Sequence, residues 1–136
     1  MTVAEKQRRL IEDFAIIEDR RERLAAVVAH AKKSPPLSAA EKSDAARVPG
    51  CISAVWLHGA RENGRLRLRY DAESPLVKGL VGLLVELYDG AEPAEAVATE
   101  PVILEELDLM KDLSPTRQNG LAAVRRRIRE IAAGIV

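Results

Sequence analysis

Residues 61–90, RENGRLRLRYDAESPLVKGLVGLLVELYDG, decide the fold. Arg65, Arg67 and Arg69 alternate strictly with Leu66, Leu68 and Tyr70. That period of two puts the arginines on one face of a strand and the apolar side chains on the other. Asn63-Gly64, just before it, is a hairpin-turn signal because both residues tolerate positive φ. The run CISAVWLH at 51–58 is rich in β-branched and aromatic residues and supplies the other strand. After the hairpin the period switches to that of a helix. Ser74 suits the N-cap, Pro75 the first helical position, and Asp89-Gly90 the stop. Leu76, Val77, Leu80, Val81, Leu83, Leu84, Val85 and Leu87 cover most of its circumference, the pattern of a helix at the centre of a core. Gly79 and Gly82 lower helix propensity and predict close approach by another element.

On the N-terminal side, Thr2 and Glu5 form a capping box. Val3, Leu10, Phe14 and Ile17, with Ile11 beside them, make a helical stripe, and Leu24, Val27, Val28 and Ala31 resume it after a charged patch. Two helices with a break near Asp19 are expected, ended by Ser34-Pro35-Pro36-Leu37. Residues 38–47 read as a loop with one helical turn. On the C-terminal side, AEPAEAVA and PVILEELDL predict two short helices, and Ser114-Pro115 opens the last one. Its stripe is Leu121, Val124, Ile128 and Ile131; Arg125, Arg126, Arg127 and Arg129 read as its solvated face. The order of elements predicts one α+β domain over residues 1–136, with helices packed on one face of a small antiparallel sheet of about three strands.

The composition excludes several functions. Twenty-one basic residues balance 21 acidic ones, which removes the field a general nucleic-acid or anionic-membrane binder would use. The aromatic residues Phe14, Trp56, Tyr70 and Tyr88 make no stacking platform for single strands. No apolar run is long enough to span a bilayer, and MTVAEKQRRL lacks a signal-peptide apolar region, so a cytoplasmic protein is expected. In that compartment a thiol stays reduced.

Cys51 is the single cysteine of the chain. One sulfur cannot form an internal disulfide, a CxxC redox pair or a thiolate zinc site, and an iron–sulfur cluster needs several ligands. By composition alone a lone cysteine is usually buried filler. Its position argues otherwise: Pro49-Gly50 punctuate the chain before it, so the thiol stands at a loop-to-strand junction, where reactive groups tend to be placed. His58, seven residues on, forms no evident Cys-His dyad, which speaks against a hydrolase.

VPGCISAVW, SPLVKGLVGLLVELYDG and LSPTRQNGL, in this order and spacing, resemble the SufE/CsdE family of sulfur-acceptor proteins. The likeness runs from the N-terminal helix pair to the last helix. It implies a SufE/IscU-like fold and a carrier that is no enzyme itself. Cys51 would take a persulfide sulfur from a cysteine desulfurase of the SufS/CsdA type and stimulate its turnover. The sulfur would pass to an iron–sulfur scaffold of the SufBCD type. The desulfurase would bring pyridoxal phosphate, while this chain would bind no cofactor or metal. Residue by residue, the resemblance implies partner-binding or supporting roles for Arg117, Asp71, Arg47 and Glu73, a packing role for Gly79, and a thiol sheltered until the partner binds. Many members carry glutamine after the cysteine and a polar residue two further on; Ile52 and Ala54 stand there instead. An iron–sulfur scaffold of related fold, or a non-catalytic regulatory module, are the competing readings.

Overall fold

The computed structural model describes residues 1–111 and 113–134. Helices α1 (Val3–Ala15) and α2 (Arg20–Ala31) form the predicted pair, broken where Asp19 caps α2 through the Glu22 amide. The hairpin β1 (Val55–Glu62) and β2 (Arg65–Ala72) follows, with Asn63 and Gly64 at φ +53° and +76° in its turn. Next come α3 (Pro75–Tyr88), the short α4 (Pro93–Ala98) and α5 (Ile103–Glu106), and the long α6 (Pro115–Ala132). The Thr2–Glu5 capping box and the Ser74 and Ser114 caps are all present.

Leu66, Leu68 and Tyr70 of β2 and Val55 and Leu57 of β1 are buried beneath the helices, while Arg65, Arg67 and Arg69 are exposed on the opposite face. The 38–47 loop covers one end of that outer face: Lys42 lies over the Trp56 ring and Glu41 pairs with Arg69. Nine residues of α3, from Gly79 to Tyr88, are buried, so it is the central helix. A Cβ on Gly79 would stand 3.0 Å from Val28 Cα, and one on Gly82 would overlap the Tyr70 hydroxyl. Those two glycines let α2 and β2 meet α3. Gly82→Ala should therefore lose about 2 kcal/mol of unfolding free energy in a urea titration, overpacking outweighing the gain in helix propensity.

Two expectations need correction. Among the described residues the sheet has two strands, not about three. Residues 46–48 start a third: Val48 N–H donates to Val55 O at 2.8 Å and Leu57 N–H to Ala46 O at 2.9 Å, which makes only an isolated bridge between Arg47 and Trp56. Pro49 has no N–H to continue the ladder, and Gly50, at φ +93°, turns the chain away. The second correction is Arg125, which is not on a solvated face. It is 8% exposed, stacks over the Tyr88 ring at 4.5 Å and donates to Ala96 O, Val97 O and Thr99 O. The end of α4 offers carbonyls with no helical partner, and the long Arg125 side chain reaches them from α6.

Candidate functional site

Cys51 emerges from the Pro49-Gly50 turn just before β1 and rests, half-buried, against α6. Its thiol donates to Gly120 O at 3.5 Å. A Cβ on Gly120 would stand 3.5 Å from Sγ, and one on Gly50 3.4 Å from the Ala123 Cβ. The cysteine turn thus lies directly on the first turns of α6. Beneath it opens a cavity of about 220 Å³ walled by Val55, Val77, Leu80, Val81, Leu121 and Val124. Ile52, Ser114 and Arg117 stand with Cys51 around it. Ile52 is 80% exposed, a large apolar side chain in solvent beside the thiol.

Burial pushes the Cys51 thiol above its ordinary value, and the Arg47 guanidinium pulls it partly back. The hydrogen bond to Gly120 O is one only the protonated thiol can make. Iodoacetamide alkylation of the free protein should therefore rise with pH through a midpoint above that of an exposed cysteine. Arg47→Ala should move the midpoint higher still, because the cation that favours thiolate is gone; a pH–rate profile of each protein checks both.

The remaining site candidates divide. Arg117, exposed on the first turn of α6, borders the Cys51 cavity, and Arg47 is exposed at the bridge with Trp56. Glu73 is exposed, and its N–H donates to Ala54 O at 3.0 Å, fastening the chain that follows the cysteine. Asp71 is 4% exposed: its carboxylate accepts from the Leu37 and Ala72 amides and pairs with Lys78 at 3.3 Å and Lys42 at 3.5 Å. Burial raises its pKa, but those amides and Lys78 outweigh it and the net shift is downward. Its stabilising effect is complete above the unfolded carboxyl range and lost as pH falls through the lowered folded value. Asp71→Asn should flatten the acid limb of the stability curve followed by urea unfolding. Among the described residues no three His, Cys, Asp or Glu side chains gather to hold a metal ion.

Sequence reasoning did not single out Gly120 as a wall of this site. The available signal was a glycine inside an amphipathic helix, which needs a packing reason. Nor did it assign Val77, Leu80 and Val81 of α3 to the cavity rather than to the general core.

No helix among the described residues is long and apolar enough to cross a membrane. The chain is similar to an uncharacterised SufE-like protein of Synechocystis sp., 33% identical over 82% of this chain and 70% of that one. A SufE-like protein of Rhizobium etli is 32% identical over 90% and 86%. A chloroplastic quinolinate synthase of Oryza sativa is 37% identical over 73% of this chain, which corresponds to 14% of that longer protein. The solution structure of a hypothetical protein from Thermus thermophilus superposes with a TM-score of 0.77 at 25% identity, covering 96% of this chain and 95% of the other. Residues 8–132 match the family model described as SufE, the Fe-S metabolism associated domain. With the fold, the motif order and this match in agreement, the chain belongs to the SufE family of domains associated with iron–sulfur metabolism.

Proposed function

We propose that this protein is a sulfur acceptor and carrier for iron–sulfur cluster assembly, with Cys51 as the atom that takes the sulfur. The observation that carries the reading is the placement of the chain's one thiol, half-buried on a turn at an apolar cavity and within reach of solvent. Its thiolate attacks the outer sulfur of a persulfide on a cysteine desulfurase. A bond forms between Cys51 Sγ and that sulfur. The donor's sulfur–sulfur bond breaks, and its electron pair leaves with the donor cysteine as thiolate. The exchange is redox-neutral and calls for no metal, cofactor or second cysteine on this chain. The same displacement, with Cys51 as the leaving thiolate, passes the sulfur to a scaffold of the SufBCD type.

The surrounding residues take supporting parts. The cavity has room beside Sγ for an added sulfur. Arg47 and Arg117 present positive charge to the desulfurase, of the SufS/CsdA type, which contributes its own pyridoxal phosphate. Asp71 holds the chain at Leu37 against the hairpin and α3, and Glu73 ties the cysteine segment to β2, so both support the turn's geometry.

Intact-mass analysis after incubation with the host's cysteine desulfurase and free cysteine tests the proposal. The wild type should gain one or more sulfur atoms, removable by reductant, and Cys51→Ser none. A wild-type chain that stays at its original mass, with desulfurase turnover unchanged, would leave Cys51 as packing and the protein as a non-catalytic binding module.

A further inference from the structure

On the side of α3 away from Cys51, a short stretch of the outer edge of β2 is open. The hairpin register pairs Arg65, Arg67, Arg69 and Asp71 with Glu62, Ala60, His58 and Trp56. The alternate residues Leu66, Leu68 and Tyr70 turn their backbone groups away from β1. Leu66 is satisfied on that side in both directions: its N–H donates to Ala91 O at 2.9 Å, and its carbonyl accepts from Gly90 at 2.8 Å. The Leu68 N–H donates to Asp89 Oδ1 at 2.8 Å. Farther along, the Ala72 N–H donates to Asp71 Oδ1 at 2.8 Å, which occupies the next outward amide. Between these closures the Leu68 carbonyl and both backbone groups of Tyr70 have no partner among the described residues. Leu68 and Tyr70 are 6% and 5% exposed, and buried backbone groups are nearly always paired.

Both residues wall a cleft of about 470 Å³ between the end of α2, β2 and α3. Its apolar lining includes the small residues Ala31, Gly79 and Gly82, with Leu83. Its charged lining is unevenly committed. Glu86 is taken by His30 at 2.7 Å, and Asp89 by the Leu68 amide and Arg67. Lys33, at the same cleft, makes no ion pair among the described residues and is free to meet an incoming carboxylate.

We propose that this cleft docks a short extended segment of a partner protein, with alternating acidic and apolar side chains, as an added strand on β2 at Leu68–Tyr70. The open carbonyl–amide–carbonyl set is the edge pattern that strand addition satisfies, and at about 3.3 Å per residue it engages three to five residues. One face of such a segment lies on the small-residue floor; the acidic face meets Lys33. Val77, Leu80 and Val81 turn toward the Cys51 cavity, whereas Gly79, Gly82 and Leu83 turn toward the cleft. On the sulfur-carrier reading, which this consequence alone rests on, one partner held here leaves Cys51 open to a second.

Nitrogen-15-labelled protein titrated with the acetylated, amidated peptide Glu-Val-Glu-Val-Glu tests the docking. Shift changes should centre on Leu68, Tyr70 and Lys33, and the Tyr70 amide should gain protection from hydrogen exchange. Methylating alternate backbone nitrogens of the peptide should abolish both effects, and Lys33→Glu should weaken binding about fivefold or more. The titration reads equally well in Cys51→Ser, so its failure and a failure of sulfur transfer are separable. Absence of shifts at millimolar peptide, shifts centred on Cys51 and Arg117, or equal binding of Lys-Val-Lys-Val-Lys would each overturn the proposal. So would the same shifts produced by inorganic phosphate, which would make the cleft an anion site.

Discussion

Cys51→Ser should leave a desulfurase at its unstimulated rate, yet still compete with the wild-type chain for it. On the proposed mechanism, stimulation comes from removing the enzyme-bound persulfide so that the desulfurase cysteine can react again. A serine hydroxyl is not ionised at neutral pH and accepts no sulfane sulfur, so the loss should be complete. Docking is a different matter. Ile52 and Arg117 border the thiol's cavity, Arg47 acts on the thiol electrostatically, and all three are untouched by the change from sulfur to oxygen. Sulfide release measured at saturating cysteine, with rising proportions of Cys51→Ser mixed into wild type, should fall toward the basal rate. Arg117→Glu should behave in the complementary way: the concentration giving half-maximal stimulation rises about tenfold, while the plateau remains. A Cys51→Ser protein that stimulates as well as wild type would mean that the chain acts by binding alone.

The largest stability effect is expected at Arg125. Arg125→Ala should cost about 3–4 kcal/mol, because charge-assisted hydrogen bonds to the Ala96, Val97 and Thr99 carbonyls are lost together with the stacking on Tyr88. The Tyr88 hydroxyl donates to Thr99 O at 2.7 Å, so the same carbonyl is held from two sides. Burial pushes that hydroxyl up to about 12, against the pull of Arg125 and Arg129, so it remains a donor across the neutral range. For a chain of this size the loss is a large share of total stability, and thermal unfolding should begin about 10 °C lower. Arg125→Lys keeps the charge but reaches fewer carbonyls and should fall in between. Midpoints of thermal unfolding for the three proteins check the order. A truncation that leaves the midpoint unmoved would mean that water satisfies the end of α4 equally well.

The contrast between Arg125 and its neighbours shows what periodicity can convey. Position on a helix predicts which side chains lie near the core, and Leu121, Val124 and Ile128 are buried as their spacing requires. It does not say what backbone a long side chain will meet. Arg125 is buried because the end of α4 brings unpaired carbonyls beside it, a fact of packing between residues 26 to 29 positions apart. The third strand failed for a related reason. The 46–48 segment has strand-like pairing, but its length depends on where Pro49 and Gly50 turn relative to β1.

The local signals of this chain suffice for its elements: the alternation of 65–70, the Asn63-Gly64 turn, the caps at Thr2, Ser74 and Ser114, and the buried circumference of α3 all act within a few residues. The motif order suffices for the family and singles out Cys51. Tertiary structure alone decides that Gly120 admits the cysteine turn onto α6, and that α3 walls the Cys51 cavity on one side and the open β2 edge on the other. It also decides that Asp71 is drawn inward to the amide of Leu37. Those features join residues distant along the chain, and their geometry follows from how the elements pack rather than from any single stretch of residues.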